Sequence, residues 1–111
     1  MLVRAENKPK NEITNYSIIL ACGIHEILVD TEDYNGLSAF NWTVKKSFYR
    51  RYCGRWSKKN GKKIWVIMHR VITRCPHHMV IHHVNHNTFD NRKENLLMLT
   101  EYEHQKEHSW R

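Results

Sequence analysis

The apolar residues of this 111-residue chain occur only in short runs, and this feature limits the possible fold more than any other. No run approaches the ~18 consecutive apolar residues that a membrane-spanning helix requires. The runs are rich in β-branched and aromatic residues and are bounded by Gly, Pro, Asn or Asp, a pattern typical of β-strands. The length is sufficient for one compact domain, at roughly 100–150 residues per domain.

The pattern predicts seven strands, at 16–22, 25–29, 42–44, 48–56, 63–68, 79–83 and 96–99. A short helix should begin near Thr31, where acidic residues occupy the first turn. Thr100 and Glu103 have the spacing of a capping box, which predicts a second helix from Glu101. We expect residues 1–15 to form a flexible tail, 16–63 a β-rich basic segment, and 64–111 the unit that carries the chemistry.

The charge of the chain is strongly uneven. Its net charge is +7, and no Asp or Glu occurs between Tyr34 and Phe89. A surface of one sign attracts phosphates, so nucleic acid is the expected partner, with an affinity that falls steeply with salt. A basic surface alone does not distinguish DNA from RNA. The candidate DNA-binding residues of this segment are Arg50, Arg51, Arg55, Lys58, Lys59, Lys62 and Lys63. Most of the interleaved aromatic residues should lie in the core.

Nine histidines suggest a metal site or acid–base chemistry. His104 and His108 are four residues apart on the predicted helix, so their imidazoles face the same side and could bind one metal ion. His82 and His83 are adjacent on a predicted strand, so one could bind metal while the other acts as a base. Chance pairing and a solvated helix face remain alternatives for both pairs.

The three cysteines do not suggest a metal site or a disulfide framework. Their number is odd and no C-x-x-C pair is present. We therefore expect reduced thiols in a cytoplasmic protein. The apolar stretch before Cys22 is too short for a signal peptide, so the protein should remain in the compartment where it is made.

Four segments together resemble the HNH endonucleases common in phages. They are MHRVI at 68–72, VIHHVN at 80–85, DNRKENL at 90–96 and TEYEH at 100–104. The resemblance is specific over residues 64–108 and weaker over 25–63. It implies an α+β fold in which a small β-rich N-terminal part precedes a ββα-metal (His-Me finger) HNH unit at residues 64–111.

The resemblance also implies roles for individual residues. His83 corresponds to the general base, and Asn95 to the residue that holds the loop bearing this base, with Asn91 as a weaker candidate. His82 and His104 correspond to metal ligands. His108 matches a further ligand found in the nuclease colicins.

The chain departs from the commonest phage pattern at three positions. Asp is usual at position 82, Asn at 104, and Gly at 86, where this chain has His. We interpret His86 as a neutral replacement, with an extra phosphate contact as the alternative. A ligand set rich in nitrogen favours Zn, Ni, Co or Mn over Mg. The expected cofactor is therefore one divalent metal ion, either Zn, Mn, Ni or Mg.

The resulting functional prediction is a metal-dependent endonuclease that hydrolyses phosphodiester bonds of double-stranded DNA. Arg70 and Arg92 join the candidate DNA-binding residues. A monomer or weak homodimer with one site per chain should nick one strand. The expected location is the host cytoplasm, for a protein encoded by a phage or a bacterium, with no membrane association. The alternatives are a non-catalytic DNA-binding module with a structural metal, and a protein directed at RNA.

Overall fold

The computed structural model describes residues 15–47 and 49–103, which form seven strands and a few short helical segments. The strands are β1 (Tyr16–Ala21), β2 (His25–Asp30), β3 (Thr43–Ser47), β4 (Arg50–Lys59), β5 (Lys62–Ile67), β6 (Met79–His83) and β7 (Leu96–Thr100). The helical segments are α1 (Thr31–Ser38), α2 (Met68–Thr73), a 3-10 turn (Lys93–Asn95) and the first helical residues 101–103. Among the described residues, no helix has the length and apolar character needed to cross a membrane.

Strands β1 and β2 form an antiparallel hairpin whose inner face begins the core. Ile19 pairs with Ile27 in the register of the hairpin, and both side chains are buried. Alternation along β1 places Ile18 and Leu20 on the opposite, exposed face. The turn is possible because Gly23 adopts a φ of 73°, a region that glycine occupies without a steric penalty.

The core lies between this hairpin, α1, α2 and the three-stranded sheet. Leu37 from α1, Trp42, Cys53 from β4 and Met68 from α2 pack with the inner residues of the hairpin. The indole of Trp42 donates a hydrogen bond of 2.7 Å to the carbonyl oxygen of Leu37, so its polar atom is satisfied inside the core.

Strands β3, β4 and β5 form one antiparallel sheet with two chemically different faces. The register places Lys45 opposite Tyr52 and Trp56 opposite Trp65, so these four side chains share a face, which we call the front face. The back face carries Val44 and Cys53, which pack against the core. Asn60 and Gly61, with φ values of 53° and 77°, close the β4–β5 hairpin as a type I′ turn requires.

Gly54 in β4 allows the ring of Trp65 to lie across the strand. A Cβ atom at Gly54 would lie 2.5 Å from Cζ2 of Trp65 and 2.8 Å from the carbonyl oxygen of Val66. Contacts this short force either the indole or the backbone of β5 to shift. A side chain at this position is therefore incompatible with the observed position of Trp65.

We expect Gly54→Ala to lower the free energy of unfolding by about 1–3 kcal/mol, the usual cost of overpacking. Urea denaturation followed by circular dichroism would measure it. Gly36→Ala is the matched control, because a Cβ there meets nothing within 4 Å and lies in α1. That control should be neutral or stabilising by about 0.5–1 kcal/mol. Equal stability of the Gly54 variant and the wild type would contradict the argument.

The predicted fold class, α+β with a ββα-metal unit at residues 64–111, is wrong. The described chain is mostly β, with seven strands in three antiparallel sheets, and its residues show no ββα arrangement. Strands β6 and β7 pair only with each other as a two-stranded sheet. The capping box at Thr100 does form. The backbone N–H of Thr100 donates a 2.9 Å hydrogen bond to Oε1 of Glu103, and the backbone N–H of Glu103 donates a 3.1 Å bond to Oγ1 of Thr100. Residues 101–103, where the described chain ends, are helical, and the rest of the helix predicted from Glu101 lies outside the described residues.

Candidate functional site

His83 ends β6 in a buried position with one well-defined hydrogen bond. Its side chain is 4% exposed, and its Nε2 lies 2.8 Å from Oδ1 of Asn91. An amide oxygen only accepts hydrogen bonds, so the proton of the neutral imidazole is on Nε2. The unprotonated nitrogen, which can accept a proton from another molecule, is therefore Nδ1.

The electrostatic environment keeps His83 neutral near pH 7. Burial lowers its pKa, the hydrogen bond to Asn91 and the charge of Asp90 raise it, and the charge of Arg50 lowers it. The net result is a pKa below the ordinary value of 6.5. A neutral imidazole is the form that can act as a general base.

The segment between β6 and β7 is held by the side chain of Asn95. Its Oδ1 accepts a 2.9 Å hydrogen bond from the backbone N–H of Asn85, and its Nδ2 donates to Oδ1 of Asn85 and to the carbonyl oxygen of Asp90. These contacts are those that a residue holding the loop must make. The contribution of Asn95 to activity stays a prediction.

Asn91, the weaker candidate in the sequence, is the residue that contacts the ring of His83. Its backbone N–H donates a 2.7 Å bond to the carbonyl oxygen of Leu28 in β2, and the backbone N–H of Leu28 donates to the carbonyl oxygen of Phe89. The loop is thus fixed to the first hairpin as well as to β7. The sequence contained no signal for this anchor, because Leu28 is more than sixty positions from Asn91 along the chain.

Asp90 and Arg92 form a buried ion pair beside Asn91. The guanidinium of Arg92 donates to both carboxylate oxygens of Asp90, at 2.8 and 2.7 Å, and to Glu94 at 3.0 Å. Although burial raises the pKa of Asp90, the bonds and charge of Arg92 hold it below its usual value. Arg92, a predicted DNA contact, is therefore engaged within the protein, and its side chain is only 14% exposed.

Two aromatic rings pack against His83. The ring centroids of Tyr52 and His69 lie 6.2 and 5.3 Å from that of His83, and 5.7 Å from each other. Burial, with smaller effects of His83 and Arg70, lowers the pKa of His69 to about 3. Its Nδ1 is buried and has no hydrogen-bond partner among the described residues. Sequence reasoning did not identify Tyr52 as part of this cluster.

The predicted metal ligands are only partly within the described chain. His82 is buried, and its ring meets that of His86 edge-on at 5.4 Å, away from the Tyr52 cluster, as alternation along β6 requires. His104 and His108 lie outside the described residues. The predicted ligand set is therefore not brought together in the described part of the chain, and it stays a prediction.

Another possible metal group in the described chain is acidic. The carboxylates of Asp30, Glu32 and Asp33 lie within 4.8 Å of one another. The ammonium of Lys93 is 2.8 Å from both Glu32 and Asp33, and its hydrogen bond lowers the pKa of Glu32. Since the ammonium of Lys93 already binds Glu32 and Asp33, the group is better explained as an ion-pair network than as a metal site.

The predicted DNA-binding cations do not form a single surface. The register places Arg50, Lys58 and Lys63 on the front face, and Arg51, Arg55, Lys59 and Lys62 on the back face. The guanidinium carbon of Arg55 lies 3.8 Å from the centroid of Phe40. Arg70 donates a 2.8 Å bond to the carbonyl oxygen of Pro76. The cations of the front face are on the side of Tyr52, which contacts His83.

Comparison with known proteins supplies no further assignment. No protein-family model matches the chain, and neither a curated protein nor a solved structure matches it. The resemblance to HNH endonucleases stays a prediction, and a functional argument depends on the residues of the site.

Proposed function

We propose that this protein is a metal-dependent endonuclease that hydrolyses phosphodiester bonds in double-stranded DNA, with His83 as the general base. The observation that carries the proposal is the hydrogen bond between Nε2 of His83 and Oδ1 of Asn91. This bond assigns the basic lone pair to Nδ1 and fixes the ring. The four motif segments that resemble HNH endonucleases add support.

The proposed chemistry follows from the protonation state of His83. Nδ1 removes a proton from a water molecule, whose oxygen attacks the phosphorus atom of the substrate while the bond from phosphorus to the leaving 3′ oxygen breaks. The leaving oxygen takes a proton from solvent, and the imidazolium of His83 then releases its proton. Asn91 holds the ring during this transfer, and the hydrogen bond that Nε2 donates to it helps to stabilise the imidazolium that forms. The positive charge of Arg50 favours a phosphate near this base.

The described residues fit a divalent transition metal in part. His82 is a buried imidazole with a second imidazole, His86, beside it, and nitrogen ligands suit Zn, Mn or Ni better than Mg. His82 would hold the ion together with His104 and His108. When bound, such an ion stabilises negative charge on the phosphate and on the leaving oxygen.

The basic composition and the free cysteines extend the proposal to partner and location. The cations of the front face lie on the side of His83, so we infer that duplex DNA approaches from this side. A chain with one site should nick one strand, as a monomer or weak homodimer. Cys22, Cys53 and Cys75 are free, which supports a reducing cytoplasm, that of a bacterium or a phage-infected host.

A cleavage assay with metal-stripped protein tests the proposal. Mg²⁺, Mn²⁺, Ni²⁺ and Zn²⁺ are added singly to mixtures of supercoiled plasmid and long phage DNA, so that rare sites are also present. We expect open circles, or discrete nicks in the long DNA, that require metal and disappear with chelator. Intact DNA under every metal, with folded protein bound to it, would instead favour the non-catalytic binding module.

A further inference from the structure

A cavity of about 210 Å³ opens on the front face, between the sheet and α2. Its lining includes Lys45 and Lys46 from β3, Tyr52 from β4, Trp65 from β5 and His69 from α2. The side chains of the front face thus give this lining one cation, Lys45, and two large aromatic rings, whereas Lys46 pairs with Arg51 and directs its side chain to the back face. Neither Lys45 nor Trp65 has a role in the proposed hydrolysis.

The cavity adjoins the proposed general base through shared wall residues. Tyr52 and His69 line the cavity, and their rings also pack against His83. A molecule in the cavity is therefore separated from His83 by the thickness of one side chain.

The size of the cavity limits what it can hold. A cavity of about 150 Å³ accepts a benzene ring, whereas pockets for drug-sized ligands start at about 300 Å³. At about 210 Å³, the cavity fits one nucleobase and excludes a base pair. Only an unpaired or extruded nucleotide could therefore enter it.

The chemistry of the wall suits a nucleotide. Aromatic side chains stack on any base, and lysines neutralise the attached phosphate. The ammonium of Lys45 lies 5.1 Å from the ring centroid of Trp65, so the cation and the stacking surface are adjacent. His69 adds a buried Nδ1 that has no hydrogen-bond partner in the described chain.

Trp65 reaches this position only because residue 54 of β4, two positions before its register partner Trp56, is a glycine. The indole lies where a Cβ of residue 54 would be, which leaves its ring close against the strand. The wall is held further by Trp56, whose ring packs on Trp65 with centroids 5.1 Å apart. A stacking surface held in this way loses little side-chain freedom when a base binds.

We propose that this cavity binds one unpaired nucleotide of DNA, with its base against Trp65 and Tyr52 and its phosphate at Lys45. The position of this nucleotide, next to the phosphate that is cut, rests on the proposed function. The existence of the binding pocket is independent of the proposed function. The protein would prefer DNA whose target nucleotide is already unpaired, because extrusion from a duplex costs free energy.

A binding assay with metal-free wild-type protein in the presence of chelator tests the pocket without cleavage and leaves the cavity wall unchanged. Two DNA duplexes are compared, one with a single unpaired nucleotide and one with an abasic residue at the same position. We expect about tenfold tighter binding of the first duplex by fluorescence anisotropy, since stacking of one base has an effect of this order. Tryptophan fluorescence should be quenched only when the base is present.

Variants separate the pocket from general stacking on the protein surface. Trp65→Leu should abolish the preference for the unpaired base, whereas Tyr49→Leu should retain it, because Tyr49 is 90% exposed and does not line the cavity. If Trp65→Leu does not fold, Ser47→Leu narrows the same cavity from an exposed edge-strand position and should also abolish the preference.

The outcomes distinguish the pocket from the proposed function. Equal affinity for the base-containing and abasic duplexes would overturn the pocket, whether or not the wild type cuts DNA. A preference that survives both Trp65→Leu and Ser47→Leu would also overturn it. A preference lost in these variants supports the pocket, even if wild-type protein cuts no DNA, in which case only the endonuclease proposal fails.

Discussion

Replacing His83 with alanine should lower the rate of DNA cleavage at least about 100-fold while DNA affinity changes little. General-base catalysis typically contributes 10²–10⁴-fold, and no other described histidine has the same arrangement of a fixed ring and an assigned lone pair. DNA affinity should persist because it depends on cations such as those of the front face. The measurement is single-turnover nicking of plasmid DNA with the activating metal, together with anisotropy on a labelled duplex.

A matched control is His78→Ala, which removes an exposed histidine in the turn before β6. It should cut at the wild-type rate. The melting temperature of each variant is needed as well, because His83 packs against Tyr52 and His69 and its removal leaves a cavity. Wild-type cleavage by folded His83→Ala protein would show that another group is the base.

Acidification should destabilise the protein because His69 is buried in its neutral form. The unfolded chain binds a proton at His69 near the ordinary pKa of 6.5, whereas the folded protein does so only near about 3. Between these values the unfolded state binds more protons, so the free energy of unfolding falls as pH falls. The slope from this residue is at most about 1.4 kcal/mol per pH unit, giving a loss on the order of 4 kcal/mol over the full interval.

Urea denaturation of metal-free protein, between about pH 5.5 and pH 6.5, measures this slope above the range in which Asp90 and Glu32, whose pKa values are also lowered, contribute most. His83 contributes in the same direction, since its pKa is also lowered. His69→Gln should therefore reduce the slope of the unfolding free energy against pH by up to the contribution of one bound proton, about 1.4 kcal/mol per pH unit, without removing the slope. The control His78→Gln, at an exposed position, should leave the slope unchanged. An unchanged slope in His69→Gln would mean that another group causes the acid sensitivity.

Local elements were predictable because neighbouring residues determine them. The seven predicted strands agree with the structure to within three residues at each described end. The Asn60–Gly61 turn follows from residues that tolerate positive φ, and the capping box at Thr100 from two side chains three positions apart. Alternation likewise places His82 and His83 against different rings.

The fold class was wrong because it depends on how these elements pair. A resemblance over short motifs led to a helix packed beside two strands, whereas about half of the described residues form three separate antiparallel sheets. The positions of the motif residues in β6 and β7 did not reveal this. Pairing can join strands that are far apart in the sequence, and short apolar runs of similar composition do not specify which strand is their partner.

The candidate site shows the same division. The resemblance to HNH endonucleases singled out His83 and Asn95, and the structure shows Asn95 bonded to the loop at Asn85 and Asp90. The sequence does not show which partners the charges of Arg92 and Lys93 have. In the structure Arg92 binds Asp90, and Lys93 binds acids about sixty positions earlier. Composition reports a charge but not its partner, so it overstated the number of cations available to DNA.

The amino-acid order alone therefore specifies the strands, the turns and the histidine motif of this protein, since each depends on residues close together in the chain. The neutral state of His83 and the depressed pKa of His69 arise only when β4, α2 and β6 meet, and the cavity beside Trp65 only when α2 packs on the sheet of β3, β4 and β5. Burial and contact between distant residues set these properties, because desolvation and packing depend on the folded surroundings and not on the local sequence.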